Sequence, residues 1–346
     1  MTSASLPEPS AEPIRWGVLA TGKIAHSFAR DLALVPGGRL AAVGSRRPEA
    51  ATSFAAEHGD DQTRAHGSYA GLVADPDVDV VYVATPHALH PDDVRLALEA
   101  GKHVLCEKPV ALRERDAAAI IDLARERGLF FMEAMWTACH PVVRELIDVL
   151  ATGRFGTPRQ VQAELGFRVD APPEDRLLAP ELGGGALLDM GIYPLTFAHL
   201  VLGEAEQLTA TAGLASSGID LDIAIAGRYA GGAVAALGAS MSSWSSRRAA
   251  IATDEGRIEV GAQFHHPDEA VFTPHGPAGP RPEERVVLTG REPVIGRGYG
   301  NEIAEVQRCL REGLTESPLV PHAQTLTIMR QMDDLRAQVG VAYPGD

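Results

Sequence analysis

The 346-residue sequence is poor in cysteine. Cys106, Cys139 and Cys309 are scattered, with no C-x-x-C. That excludes a disulfide framework or a zinc knot and suits a reducing cytoplasm, where the protein is expected to reside. Basic residues are also short: 31 Lys and Arg stand against 46 Asp and Glu, a net charge of −15. Such an excess argues against a nucleic-acid partner or an anionic membrane surface. No apolar run reads as long enough to span a bilayer. The opening MTSASLPEPSAEP lacks a basic region followed by an apolar one, so residues 1–13 read as a flexible tail rather than a signal peptide. No internal repeat and no G-x-S-x-G in a strand–turn–helix setting is found, which leaves a hydrolase without support. What is present is apolar content, 45% of residues, on a chain long enough for two cores.

Residues 14–133 switch between two periods. IRWGVLA, RLAAVGS, DVVYVAT, KHVLCE and LFFME read as strands, the third an uninterrupted apolar run suited to a sheet covered on both faces. Helical spacing fills the gaps. PEAATSFAAEHG opens at Pro48 and closes at Gly59, and PDDVRLALEAG has the same design. Strands and helices alternating at short spacing predict an α/β fold, a doubly wound parallel sheet of the Rossmann kind. From residue 134 the pattern changes. RQVQAELGFRV alternates with period two, and hairpins are predicted around Ala230-Gly231-Gly232 and Asp254-Glu255-Gly256. The second region, 134–346, is therefore expected to be an α+β domain with a large, mainly antiparallel open sheet. TPHGPAGPRPEE reads as a Pro/Gly loop within it. Helices are expected over roughly 300–312 and 322–339, the last a candidate to pack back on the first domain.

LATGKIA follows the first strand and opens the first helix. Aligned to G-x-G-x-x-G/A it places Ala20, Gly22 and Ala25 at the three key positions, and only the middle glycine survives. That glycine is the one that lets a pyrophosphate approach a helix N-terminus. Ala20, Thr21, Gly22, Lys23 and Ile24 are thus candidates to hold a dinucleotide, against the alternative of an ordinary strand-to-helix turn. The second strand ends in Ser45, Arg46 and Arg47, with no carboxylate to repel a 2′-phosphate. A hydroxyl and guanidinium forks favour NADP over NAD; a solvated basic loop is the bland alternative.

KHVLCEKPV runs from a buried strand into Glu107, Lys108 and Pro109. Pro109 steers Lys108 away from helical backbone, at the strand end where open α/β sheets bind ligands. A partly desolvated lysine there is a candidate to take the proton released when an alcohol gives up hydride. A surface ion pair with Glu107 is the alternative. GGGALLDMGIYPL sets Asp189 and Tyr193 four apart, one face of a helix that Pro194 is expected to kink or break. A tyrosine can give a proton to an alkoxide and a carboxylate can orient a hydroxyl; a core tyrosine and a capping aspartate are equally open. Thr85 and Pro86 are candidates for the nicotinamide side, and Glu107, Lys108 and Pro109 are candidates to contact the cofactor there. His87 and His90 are candidates for the cleft, His90 alternatively stapling the next helix. His265, His266, Asp268 and Glu269 surround Pro267 without regular ligand spacing, so they read as a solvated loop and no metal is expected.

Taken together, ATPHALH…ALEAGKHVLCEKPVAL, FFMEAMWT and GGGALLDMGIYPL resemble the glucose–fructose oxidoreductase/inositol dehydrogenase/MocA family. The likeness runs from about Ile14 to the C-terminus. MEAMWT and the D-x-G-x-Y form are similar to the branch of dimeric dihydrodiol dehydrogenases and NADP-linked D-xylose 1-dehydrogenases. The resemblance implies proton transfer assisted by Lys108, and Asp189 and Tyr193 facing the substrate. It also implies an open second sheet that often serves as a dimer surface. Ala138-Cys139-His140 departs from the usual continuation of MEAMWT, which bears on the substrate. Trp136 is a candidate pocket wall or a core residue, and Arg168 a pocket residue or a cap on the sheet edge. The expected function is an NADP-dependent oxidoreductase of a cyclic sugar or vicinal diol, assembled as a homodimer or a dimer of dimers. A non-catalytic ligand or redox sensor on the same fold is the alternative.

Overall fold

The structure is a computed structural model that describes residues 12–346. The tail expected over residues 1–13 lies, but for its last two residues, outside the described residues. The chain opens with β1 (Ile14–Leu19), α1 (Lys23–Leu32), β2 (Gly38–Gly44), α2 (Pro48–His58), β3 (Arg64–His66), α3 (Tyr69–Val73), β4 (Val80–Val83), α4 (His90–Glu99), β5 (His103–Cys106), α5 (Glu114–Glu126) and β6 (Phe131–Glu133). The six strands are parallel, in the order β3-β2-β1-β4-β5-β6. β4 is buried from end to end, and β5 from Val104 on, because helices cover both faces. β3 and α3 escaped the sequence reading: β3 is three residues on the exposed edge, too short to show a period.

α6 (Trp136–Cys139) and α7 (Pro141–Ala151) lead to β7 (Pro158–Gly166) and, after a long loop, α8 (Ile192–Leu202). Then come β8 (Ala205–Leu214), β9 (Asp220–Tyr229), β10 (Val234–Ser240), β11 (Ala249–Thr253), β12 (Gly256–Val260), β13 (Ala270–Gly276), β14 (Gly279–Pro280) and β15 (Val286–Leu288). These form a nine-stranded sheet, antiparallel except where β7 pairs with β10. Both predicted hairpins form at the predicted turns. The predicted Pro/Gly loop does not begin where expected. β13 continues to Gly276 and β14 pairs back onto it, because a two-residue turn at the strand's end lets the ladder close.

One face of this sheet packs on α7 and α8, so inward Ile223, Ile225, Ala235 and Leu237 are buried. The other face is open. α9 (Tyr299–Arg311) returns to α1, where the Asp31 carboxylate accepts from the backbone N–H groups of Arg297 at 2.8 Å and Gly300 at 3.3 Å. α10 (His322–Val339) packs on α5 and β8, and its Thr325 hydroxyl donates to Glu133 at the end of β6. One stretch, Pro180–Leu202, is by composition long and apolar enough to cross a bilayer, contrary to the expectation that none is. It is core: 78% of its most apolar window is buried.

Candidate active site

β1 and β4 lie side by side but their connections leave in opposite directions, and a crevice opens where the strand order reverses. It is a cleft of about 1110 Å³, walled by the carboxyl ends of the first sheet on one side and by α8, β7 and the 263–266 segment on the other. A smaller hollow of about 640 Å³ around Leu178, Leu182 and Ile219 has no cation in its wall and none of the groups described below.

At the dinucleotide end, Ala20 takes the left-handed backbone (φ 79°) that the loop's first glycine normally supplies. The tight turn is therefore made with alanine, at a cost of about 1–2 kcal/mol. Gly22 caps α1 without a side-chain partner, and a Cβ placed there would meet nothing within 4 Å. Open space at an uncapped helix N-terminus suits a pyrophosphate. Farther out, Ser45, Arg46, Arg47 and Tyr69 line the cleft, and Asp93, bonded to the Thr85 hydroxyl, faces Arg46 and Tyr69 with its charge. These residues fit a dinucleotide bearing a 2′-phosphate.

At the other end, the Lys108–Pro109 peptide bond is cis. Lys108 Nζ donates to the backbone carbonyl of Asp189 at 2.7 Å, lies 3.5 Å from its carboxylate, and sits 4.7 Å above the Tyr193 ring. Asp189 lies in a π-turn, Leu187–Gly191, that runs into α8. The distortion expected around Pro194 takes the form of this wider turn. The wider turn upstream absorbs the missing N–H, and the helix continues to Leu202. The backbone before it is tight, since a Cβ on Gly184 would meet the Leu177 carbonyl at 2.7 Å.

Asp189 also accepts from Arg176 Nη1 at 3.2 Å and faces His87 Nε2 at 3.7 Å. Burial alone would raise its carboxyl. The charges of Lys108 and Arg176 outweigh burial and hold it well below the usual carboxylate range. His87 Nδ1 lies 3.1 Å from the Gly183 carbonyl, so that nitrogen carries the proton and Nε2 offers a lone pair to the cleft. Burial pushes His87 down to about 3 despite Asp189. Tyr193 accepts from Trp136 Nε1 at 2.9 Å, and burial lifts its phenol well above its ordinary value. Trp136 stacks on Tyr299 at 4.5 Å and on His266 at 4.9 Å, while His265 packs 4.9 Å from Tyr193.

The cleft brings together Ala20 to Ile24, Ser45, Arg46, Arg47, Thr85, Pro86, His87, Glu107, Lys108, Trp136, Asp189 and Tyr193. Three expected residues are elsewhere. His90 is fully buried behind the wall, its ring nitrogens 2.8 Å from the carbonyls of Thr85 and Pro109. Pro109 holds His90 in this way and does not line the cleft. Arg168 is exposed beyond β7, because alternation along an extended chain that turns Phe167 inward turns its neighbour out. The anticipated surface pair of Glu107 with Lys108 is also not formed. Glu107 is buried and accepts from the Tyr82 hydroxyl, and burial raises its carboxyl despite that bond.

His265 and His266 are not in a solvated loop, as the sequence suggested, but in the cleft wall. Burial, then the neighbouring charges of His266, Lys108 and Arg247, holds His265 well below its ordinary value. Arg176, Arg247, Gln263, Arg297 and Tyr299 also line the cleft and carried no periodic signal. One compositional signal was available. The chain has only three lysines, Lys23, Lys102 and Lys108, and two of them line this cleft.

Comparison with known proteins agrees with this architecture. The first region matches the GFO/IDH/MocA oxidoreductase family, NAD-binding Rossmann fold, over residues 14–135, and residues 143–259 match that family's C-terminal domain. Trans-1,2-dihydrobenzene-1,2-diol dehydrogenase from Bos taurus is 34% identical over 340 residues, covering 96% of this chain and 99% of that one. The Xenopus tropicalis enzyme of the same name is 33% identical over 334 residues, covering 95% and 99%. Among solved structures, the 3-ketoreductase KijD10 from Actinomadura kijaniata with NADP and TDP-benzene superimposes with a TM-score of 0.82 at 28% identity, covering 95% of this chain and 98% of that one. Aldose-aldose oxidoreductase from Caulobacter crescentus shares the fold at a TM-score of 0.83 and 23% identity, covering 95% and 98%. With both of its regions matched and its relatives covered end to end, this chain belongs to the GFO/IDH/MocA family of NAD-binding oxidoreductases.

Proposed function

We propose that this protein is an NADP-dependent oxidoreductase that moves a hydride between the nicotinamide and a CH–OH carbon of a cyclic sugar or vicinal diol. The observation that carries the reading is the meeting of Lys108, from the end of β5, with Asp189 and Tyr193, from the start of α8, beside an open dinucleotide loop. The relatives named for a dihydrodiol and the NADP-bound ketoreductase support the same class. When bound, NADP supplies the hydride or accepts it.

The protein's own residues do the rest. Tyr193 stays protonated because burial disfavours the phenolate. Its oxygen already accepts from Trp136, so its own O–H is left to point at a substrate oxygen. Asp189 stays ionised and holds the Lys108 ammonium beside Tyr193. In reduction, this pair supplies the proton that turns a developing alkoxide into a hydroxyl. In oxidation, the same proton returns to it from the substrate. His87 Nε2 and the Asp189 carboxylate are acceptors a few ångströms away, placed for a second hydroxyl. Two neighbouring hydroxyls read at one site describe a vicinal diol.

The test is NADP reduction by the purified protein across aldopyranoses, inositols and cyclic trans-diols, with NAD in parallel. Turnover with at least one vicinal diol and a preference for NADP is expected. Oxidation should be favoured as pH rises and reduction as it falls, because net oxidation of a CH–OH by NADP releases one proton. No turnover with any diol or sugar in either direction would sink the reading.

A further inference from the structure

Among the described residues, only three that are not glycine have left-handed backbone: Ala20, Arg247 and Gln263. All three line the one cleft. Such conformations cost free energy and persist where the surroundings hold them for a purpose. Ala20 has its purpose in the dinucleotide loop. Arg247 and Gln263 stand at the other end, and they are linked. The Arg247 carbonyl accepts from Phe264 N at 3.1 Å, and the Gln263 carbonyl accepts from His266 N at 2.8 Å. The chain between these bonds carries His265, whose ring lies 4.9 Å from Tyr193. Arg247 is thus joined through one short segment to the proton-handling group, yet stands outside it.

The charge at this end is unbalanced. Lys108 and Arg176 share Asp189, and Lys23, Arg46 and Arg47 belong to the dinucleotide end. The charge of Arg297 faces Asp31, whose carboxylate also accepts from the Arg297 backbone N–H. That leaves Arg247, which has no carboxylate within 4.0 Å among the described residues. Its guanidinium lies 5.3 Å over the Trp244 ring, which is 68% exposed and 6.5 Å from the ring of Phe167 in the cleft wall. A guanidinium held on strained backbone, set over an indole and left without an internal counterion is arranged to meet an anion.

We propose that the substrate carries an anionic group, a carboxylate or a phosphate, away from its reacting carbon, and that Arg247 binds it with help from the Gln263 amide. This inference rests on the oxidoreductase reading and names the substrate class within it: an acidic or phosphorylated sugar or diol rather than a neutral one.

The experiment is calorimetric titration of the NADP-loaded protein with D-glucose, D-glucuronate and D-glucose 6-phosphate, with NADP reduction followed on the same three. At low salt at least one anion should bind tenfold or more tighter than glucose. Which one does so distinguishes carboxylate from phosphate. Arg247→Gln should bring the ratio of anion to glucose affinity within twofold of one, and Arg247→Lys should keep most of it. No preference for either anion, or a preference that survives in Arg247→Gln, overturns the subsite. Tight anion binding by a protein that turns over none of these ligands and none of the sugars and diols above would keep the subsite and remove the oxidoreductase reading. Turnover of glucose with no anion preference would do the reverse.

Discussion

Lys108 reaches across 81 residues of sequence to donate to the backbone carbonyl of Asp189 at 2.7 Å. The bond joins the end of β5 to the start of α8, so two regions of the chain share one reaction centre. Removing the ammonium without much changing side-chain volume should therefore damage chemistry more than cofactor binding. Lys108→Met should lower turnover by about 10²–10⁴, the usual worth of a general acid–base group. Tyr193→Phe should lower it less if Lys108 is the principal group. NADP titration followed by single-turnover kinetics checks both, and near-normal turnover in Lys108→Met would reduce the lysine to a structural partner of Asp189.

Cofactor choice should reside in Arg46. It lines the dinucleotide end of the cleft with Ser45 and Arg47. Arg46→Ala should weaken NADP binding by roughly 1–3 kcal/mol, the loss of one charged hydrogen bond, and leave NAD binding nearly unchanged. Fluorescence titration with both cofactors decides it. Equal losses would mean that the guanidinium never meets a 2′-phosphate.

Glu302 in α9 is fully buried, and neither carboxylate oxygen has a partner. Burial, then the charges of Glu107 and Asp31, raises its carboxyl well above the ordinary value. The folded protein thus keeps a proton that the unfolded chain releases above about pH 4.5, and stability falls as pH rises toward the folded value. Glu302→Gln has no such proton to hold. Its stability advantage over the parent should grow as pH rises from 5 to 7. Urea denaturation at the two pH values measures this. A difference between the proteins that does not change with pH would mean that Glu302 ionises in the fold.

The open face of the second sheet presents Ala224, Ala226, Val234 and Ala236 among Thr209, Thr211, Gln162 and Glu164. Small residues on a flat face let a second copy approach closely, and a two-fold dimer is the commonest way to cover such a surface. We propose that this face forms the homodimer. Light scattering should give twice the 36.7 kDa chain mass at micromolar concentration. Ala236→Arg, near the middle of the face, should shift the protein to the monomer mass. A monomeric parent protein would refute the proposal.

Much of this fold is legible in the chain itself. Period-two and period-3.6 patterns report which side of each strand or helix is buried, and that is a local property. The strand-to-helix turns of the first sheet follow from it. So do the positions of Gly22, Ser45 and Lys108 at strand ends, where a parallel α/β sheet must bind its ligands. The two hairpins were legible for the same reason. What the tertiary structure alone decided is which loop side chains turn into the cleft. Arg176, Arg247 and His265 come from connections with no repeating pattern, and Tyr299 stands at the first residue of α9; their neighbours in space lie far away in sequence. Arg168 and Arg176 show the difference: both are arginines after β7, yet only Arg176 reaches Asp189. His90 and His87 show it again, three residues apart, one sealed behind the wall and the other facing Asp189. Burial periodicity fixes a face for a regular element, whereas an irregular loop takes its direction from the surfaces that close around it.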